Sequence, residues 1–172
     1  MEIRNDILFK EKQKFNQWWI WLIVIGLNAV LIFGFYRQVI AGLPFGDNPM
    51  SDNALLLTLS LALLFTFLFL SFRLDTVIKP EGIYVRFFPF HMKYQFYPWE
   101  SLQKVYIRDY APLSEYGGWG LRWSVFGKGK AYNVAGDKGL QLELKNKNKL
   151  LIGTTRAAEL TSVLSTLVQL KE

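Results

Sequence analysis

The chain has 172 residues, with 20 Lys and Arg against 14 Asp and Glu for a formal charge of +6, and it has no cysteine. The missing thiol excludes disulfides, thiolate metal sites and cysteine nucleophiles. Apolar residues make up 51% of the sequence but gather in two runs, so the length divides into membrane segments and a small domain.

Residues 1–17 form a leader in which Ile3, Ile7, Leu8, Phe9 and Phe15 are interspersed with Lys10, Lys12 and Lys14. It reads either as an interfacial helix or as the positive flank of the span that follows. Two nearly uncharged runs come next, 18–36 and 54–72, each long enough as a helix to cross a hydrocarbon core of about 30 Å. Neither shows a polar stripe at helical spacing. The first is too long for a signal-peptide core, and no small-x-small cleavage site follows it, which favours an uncleaved span. The loop 37–53 contains only Arg37 as a cation, together with Gly42, Pro44, Gly46 and Pro49. Arg4 and the three lysines before the hairpin, and Arg73 and Lys79 after it, are expected to orient both termini toward the cytoplasm. Thr58, Ala62 and Thr66 recur every four residues on one helix face, and Asn28 is placed to donate a hydrogen bond across a helix–helix contact.

From Arg73 the pattern changes. Leu140, Leu142 and Leu144 alternate with Gln141, Glu143 and Lys145, the signature of a half-buried strand. Further strands are expected at 74–79, 83–88, 93–96, 104–108, 122–126, 130–134 and 149–152, separated by Gly-, Pro- and Asn-rich turns. Near the C-terminus the period lengthens. Thr155 is expected to cap a helix with Leu160, Val163, Leu164, Leu167 and Val168 along one face. This domain, 73–172, holds fifteen basic and nine acidic residues and carries the whole charge excess. With its own strands and closing helix, it is expected to fold without the spans.

The turn PEGI at 80–83, the PWESL stretch at 98–102, EYGGWGLR at 115–122, GKAYNV at 129–134, GLQLEL at 139–144 and IGT at 152–154 together resemble a bacterial pleckstrin-homology-like domain. With the leader FKEKQKFNQWW at 9–19, the likeness extends to a group of small bacterial membrane proteins. The resemblance implies a membrane-anchored α+β chain: a transmembrane helical hairpin followed by a mainly antiparallel β barrel closed by a C-terminal helix. It implies no mechanism, because fold alone does not fix function.

The most suggestive segment is 116–130. Tyr116, Trp119 and Trp123 lie near Arg122, Lys128 and Lys130, among five glycines. Those cations could meet lipid phosphate while the rings settle at the interface; the structural alternative makes the tryptophans core and the glycines a hairpin. Gly127-Lys128-Gly129-Lys130 lacks the glycine frame and the following Ser or Thr of a phosphate loop, so it reads as a hairpin tip. His91 is the sole histidine and cannot found a typical zinc site. Glu100, Asp109, Glu115 and Asp137 have no spacing that would pair them for acid–base work. The sequence thus points to a non-enzymatic binding module without cofactor or metal, for membrane lipids (anionic ones included), a protein partner or further copies of itself, and not for nucleic acid. The alternative is a structural accessory subunit or self-assembling scaffold of a membrane complex.

Overall fold

The computed structural model describes residues 7–124 and 127–169. Ile3 and Arg4 of the leader, Val125 and Phe126 of the expected strand 122–126, and the Val168 side chain lie outside the described residues. The chain forms two compact units. One comprises residues 16–71; the other joins the segment ending at Phe15 to the chain from Phe72 onward.

The first unit is a helical hairpin. Helix α1 (Trp18–Phe35) continues through a π-helical turn at Tyr36–Ile40, and α2 (Asp52–Ser71) returns. At 23 and 20 residues, both are long and apolar enough to cross a membrane. The connection is shorter than expected because the π turn carries the helix past Arg37, and the Ser51 hydroxyl accepts the Ala54 N–H at 3.4 Å to start α2 early. Gln38 Nε2 donates to the Met50 carbonyl and to Asp52 Oδ1, both at 2.7 Å. The Phe45 ring folds against Gly34, where a Cβ would approach it to 2.7 Å. Among the less exposed positions are Trp21, Val24, Asn28, Leu31 and Phe35 on α1, and Leu55, Leu59, Ala62, Thr66 and Phe69 on α2. Their alternating spacing of three and four is that of helices packed at a shallow angle.

Among the described residues, the second unit contains nine strands in two sheets. Strands β1 (Phe9–Lys14), β2 (Arg73–Lys79), β3 (Gly82–Phe88) and β4 (Gln95–Pro98) make one sheet, in the order β1-β2-β3-β4. Strands β5 (Leu102–Asp109), β6 (Gly120–Trp123), β7 (Lys130–Asn133), β8 (Lys138–Leu144) and β9 (Lys149–Gly153) make the other, in the order β5-β8-β9-β7-β6. All pairs are antiparallel except β7 with β9. Leu74, Ile78, Ile83, Val85 and Phe87 from the first sheet and Leu140, Leu142, Leu150 and Ile152 from the second are buried almost completely. Tyr132 bridges the two sheets: its ring lies 6.5 Å from that of Phe87, and its hydroxyl donates to Gln95 Oε1 at 3.2 Å. A short helix, α3 (Pro112–Tyr116), accompanies the other face of the second sheet, where Tyr110, Tyr116, Ala131 and Leu151 cluster.

Three expectations are corrected. The sheets do not close into a barrel, because β4 has only four residues and the 3-10 turn at Trp99–Ser101 redirects the chain into the second sheet without a ladder between β4 and β5. The leader from Phe9 to Lys14 is not a helix. Its strict two-residue alternation suits a strand, with Phe9, Glu11 and Gln13 buried and Lys10, Lys12 and Lys14 exposed. It pairs in register with β2, from Phe9 opposite Ile78 to Lys14 opposite Arg73. The domain is therefore split in sequence by the hairpin.

Thr155, finally, does not cap the last helix, α4 (Ala157–Gln169); its backbone N–H and hydroxyl both donate to Glu11 Oε1, at 2.9 and 2.7 Å. Thr154 donates its hydroxyl to Glu11 Oε2 at 2.7 Å, and Gln13 Nε2 donates to the Gly153 carbonyl at 2.7 Å. Arg156 donates to the Lys10 carbonyl at 2.9 Å and lies 5.2 Å from the centre of the Phe9 ring. Strand β1 is thus fastened to the start of the C-terminal helix by charge-assisted bonds, the stronger kind.

Candidate functional site

Strand pairing decides where the expected binding residues point. In the β6–β7 hairpin Trp123 faces Lys130, and Arg122 faces Ala131. Successive strand residues alternate between faces, so Arg122 and Lys130 project from opposite sides of the sheet. Arg122 is exposed and donates from Nε to the Trp119 carbonyl at 2.9 Å. Lys128 approaches Glu115 at 3.0 Å, and Arg108 holds the same carboxylate at 2.9 Å. Burial alone would push the Glu115 carboxyl up, but the Ala111 N–H, Lys128 and Arg108 outweigh it and hold the group below its usual range.

Tyr116 is buried, with its hydroxyl accepting from Arg108 at 3.1 Å. Trp119 donates its indole N–H to the Gly136 carbonyl at 3.2 Å. The expected set of Arg122, Lys128, Lys130, Tyr116 and Trp119 therefore does not converge. Of that set, only Lys130 lines a cleft with Lys147 and Lys149.

That face carries a cleft of about 530 Å³. Lys130 enters it from β7, with its ammonium 5.5 Å from the centre of the Trp123 ring, which is 60% exposed. Lys147 comes from the β8–β9 turn, Lys149 from the first position of β9, and Tyr97 from β4. Among the described residues no acid lines the cleft, although Glu143 approaches Lys149 at 3.4 Å from beside it. Gly129, at φ +84°, lets the hairpin tip lie against β9, since a Cβ there would run into the Lys149 carbonyl. Lys147 holds φ +68°, a left-handed conformation that costs roughly 1 kcal/mol with a side chain.

His91 sits on the β3–β4 connection. Its Nδ1 accepts the Phe87 N–H at 3.3 Å, and its ring meets Tyr132 edge-on at 5.0 Å. Burial, and then the charge of Lys130, lower its pKa from the usual value. The described residues include no group of His, Asp or Glu that could hold a metal ion.

The cleft concentrates positive charge beside an exposed ring face, which equips it to take an anion that also presents a flat or apolar surface. Sequence proximity suggested Lys128 and Lys130. Lys147 and Lys149 escaped because the β8–β9 turn is remote in sequence and only the parallel pairing of β7 with β9 brings it alongside.

In the hairpin, Asn28 Nδ2 donates to Thr66 Oγ1 at 2.9 Å and to the Val24 carbonyl at 2.7 Å. Ala62 lies on the same packed stripe as Thr66. Thr58 does not; it is exposed and bonds back to the Ala54 carbonyl at 2.8 Å.

The chain thus falls in the α+β class, with a hairpin of two apolar helices and a domain of two open, mostly antiparallel sheets. No protein-family model matches it, and no curated protein matches it in sequence.

Proposed function

We propose that this chain is a non-enzymatic binding module, anchored in a bacterial inner membrane by its two helices, that captures an anionic group in the Lys130–Lys147–Lys149 cleft. The observation that carries the reading is that Lys130, beside the exposed Trp123 ring, shares the cleft with Lys147 and Lys149, with no acid lining it among the described residues. A pleckstrin-homology-like ancestry suits a pair of antiparallel sheets ending in an amphipathic helix, although the open edges and the β7–β9 pairing depart from a closed barrel. A same-side placement of both hairpin ends is supported by the β1–β2 ladder, since strands separated by a membrane cannot pair. The basic flanks favour the cytoplasm for that side.

The test uses the full chain in neutral-lipid nanodiscs, titrated with a soluble inositol polyphosphate and, separately, with a glutamate-rich peptide. Reversing charge at Lys130→Glu and Lys147→Glu should cost about 2 kcal/mol, roughly thirtyfold in Kd, from lost attraction alone. Arg122→Ala, on the opposite face, should change nothing. The probe that binds distinguishes a phosphate ligand from an acidic protein segment. Binding of neither probe, or an unchanged Kd in the double variant, would sink the proposal.

A further inference from the structure

The β3–β4 connection leaves two large apolar side chains uncovered: Phe90 is 62% exposed and Met92 is 70% exposed. A loop tip of that kind in a water-soluble domain would be an unexplained cost, and its position suggests what covers it. Phe72 directly follows Ser71, the last residue of α2. Its ring lies 5.5 Å from that of Phe90, 6.5 Å from Phe87 and 6.4 Å from Phe15. By register, Lys14, Arg73 and Phe88 form one row across β1, β2 and β3 at this end of the sheet. Both strands that continue toward the hairpin therefore meet the loop at the same edge.

If α2 crosses a bilayer, the residue after it stands at the water boundary, and a ring packed on that residue stands at the same depth. Aromatic and apolar groups are stabilised at that depth, and cations beside them attract acidic headgroups. Lys93 lies within the loop, and Lys14 and Arg73 flank it; the nearby acid, Asp75, is already shared between Arg73 at 3.2 Å and Arg86 at 2.7 Å.

We infer that residues 89–94 form an interfacial foot, which buries Phe90 and Met92 in the headgroup layer of the membrane that α2 enters, with acidic lipid around it. This rests on the spanning part of the reading above and is independent of the lysine cleft. The β2–β3 turn at Pro80 and Glu81 lies at the other end of β3, about 20 Å away along seven residues.

The absence of native cysteine makes any introduced thiol a unique reporter. The full chain, carrying Met92→Cys, Glu81→Cys or Leu63→Cys labelled with an environment-sensitive dye, is placed in phosphatidylcholine–phosphatidylglycerol vesicles. Some vesicles carry lipids with a nitroxide at the headgroup, others near the acyl-chain end. Position 92 should lose emission chiefly to the headgroup nitroxide, position 81 to neither, and position 63, midway along α2, chiefly to the deep one. All three side chains are exposed, so the substitutions leave the core intact. If position 92 behaves like position 81 while position 63 is quenched, the foot is refuted and the span stands. If position 63 is not quenched, the span fails and takes the foot with it, leaving the cleft to its own titration.

Discussion

Deleting the leader should unfold a domain that the sequence alone presents as self-sufficient. A fragment of residues 73–172 lacks β1 and loses three things together. Phe9, 2% exposed, leaves a void under β2, and emptying a buried Phe site costs about 3–5 kcal/mol. Three donors from Thr154 and Thr155 lose Glu11; the buried one, the Thr154 hydroxyl, costs about 1–3 kcal/mol when left unmade, while the exposed Thr155 donors turn to water. The outer edge of β2 also loses its ladder, with Leu74 and Ile78 beneath it.

The low ends of these terms add to about 4 kcal/mol before the lost ladder is counted, close to the lower end of the 5–15 kcal/mol that holds a small domain together. The remedy follows from the register. Lys14 and Arg73 sit opposite each other, about 5 Å apart, so a short Gly-Ser turn can replace the hairpin and connect residues 7–15 to residues 72–172. Urea melts followed by circular dichroism should give a cooperative transition for this chimera and none for the 73–172 fragment. Equal cooperative melts would refute the split-domain reasoning.

Asp75, whose side chain is 8% exposed, holds both Arg73 and Arg86, so Asp75→Ala should lower the chimera's stability by about 2–3 kcal/mol in the same melts, the low end because both arginines keep some access to water. Burial pushes the phenols of Tyr110 and Tyr132 up to about 12, above the usual value near 10. Their stabilising effect should be complete below pH ~10 and fade as pH rises toward 12, with phenolate absorbance appearing as the fold melts. In the hairpin, Asn28→Val and Thr66→Val should each weaken helix association by about 0.6 kcal/mol in bicelles, the double variant should lose no more than either single one, and Thr58→Val should be silent.

Much of this was legible in the sequence. Runs of uninterrupted apolar residues announce the two helices, and period-two alternation placed each strand from residue 74 onward to within a few positions. The same alternation runs through FKEKQKF at 9–15, yet Glu11 and Gln13 on the inward face disguise a buried strand as a charged leader. They become acceptable inside only because Thr154, Thr155 and Gly153 supply partners from the far end of the chain, and no local pattern reports that. The cleft was half visible for a related reason. Lys130 was named from its neighbours in sequence, but whether Arg122 shares its face depends on hairpin register, and Lys147 and Lys149 arrive through a parallel pairing that propensity cannot see.

The central claim is that one domain is assembled from the segments before and after the helical hairpin, and single-cysteine accessibility in intact cells tests it most directly. Thiols placed at Lys12 in β1, at Asp47 in the α1–α2 loop and at Asn146 in the β8–β9 turn are probed with a membrane-impermeant maleimide; all three native side chains are exposed. The account predicts labelling at position 47 alone, with positions 12 and 146 reacting together only after the membrane is opened. Labelling of position 12 but not 146, or of 146 but not 12, would put β1 and the rest of its domain on opposite sides and contradict the account.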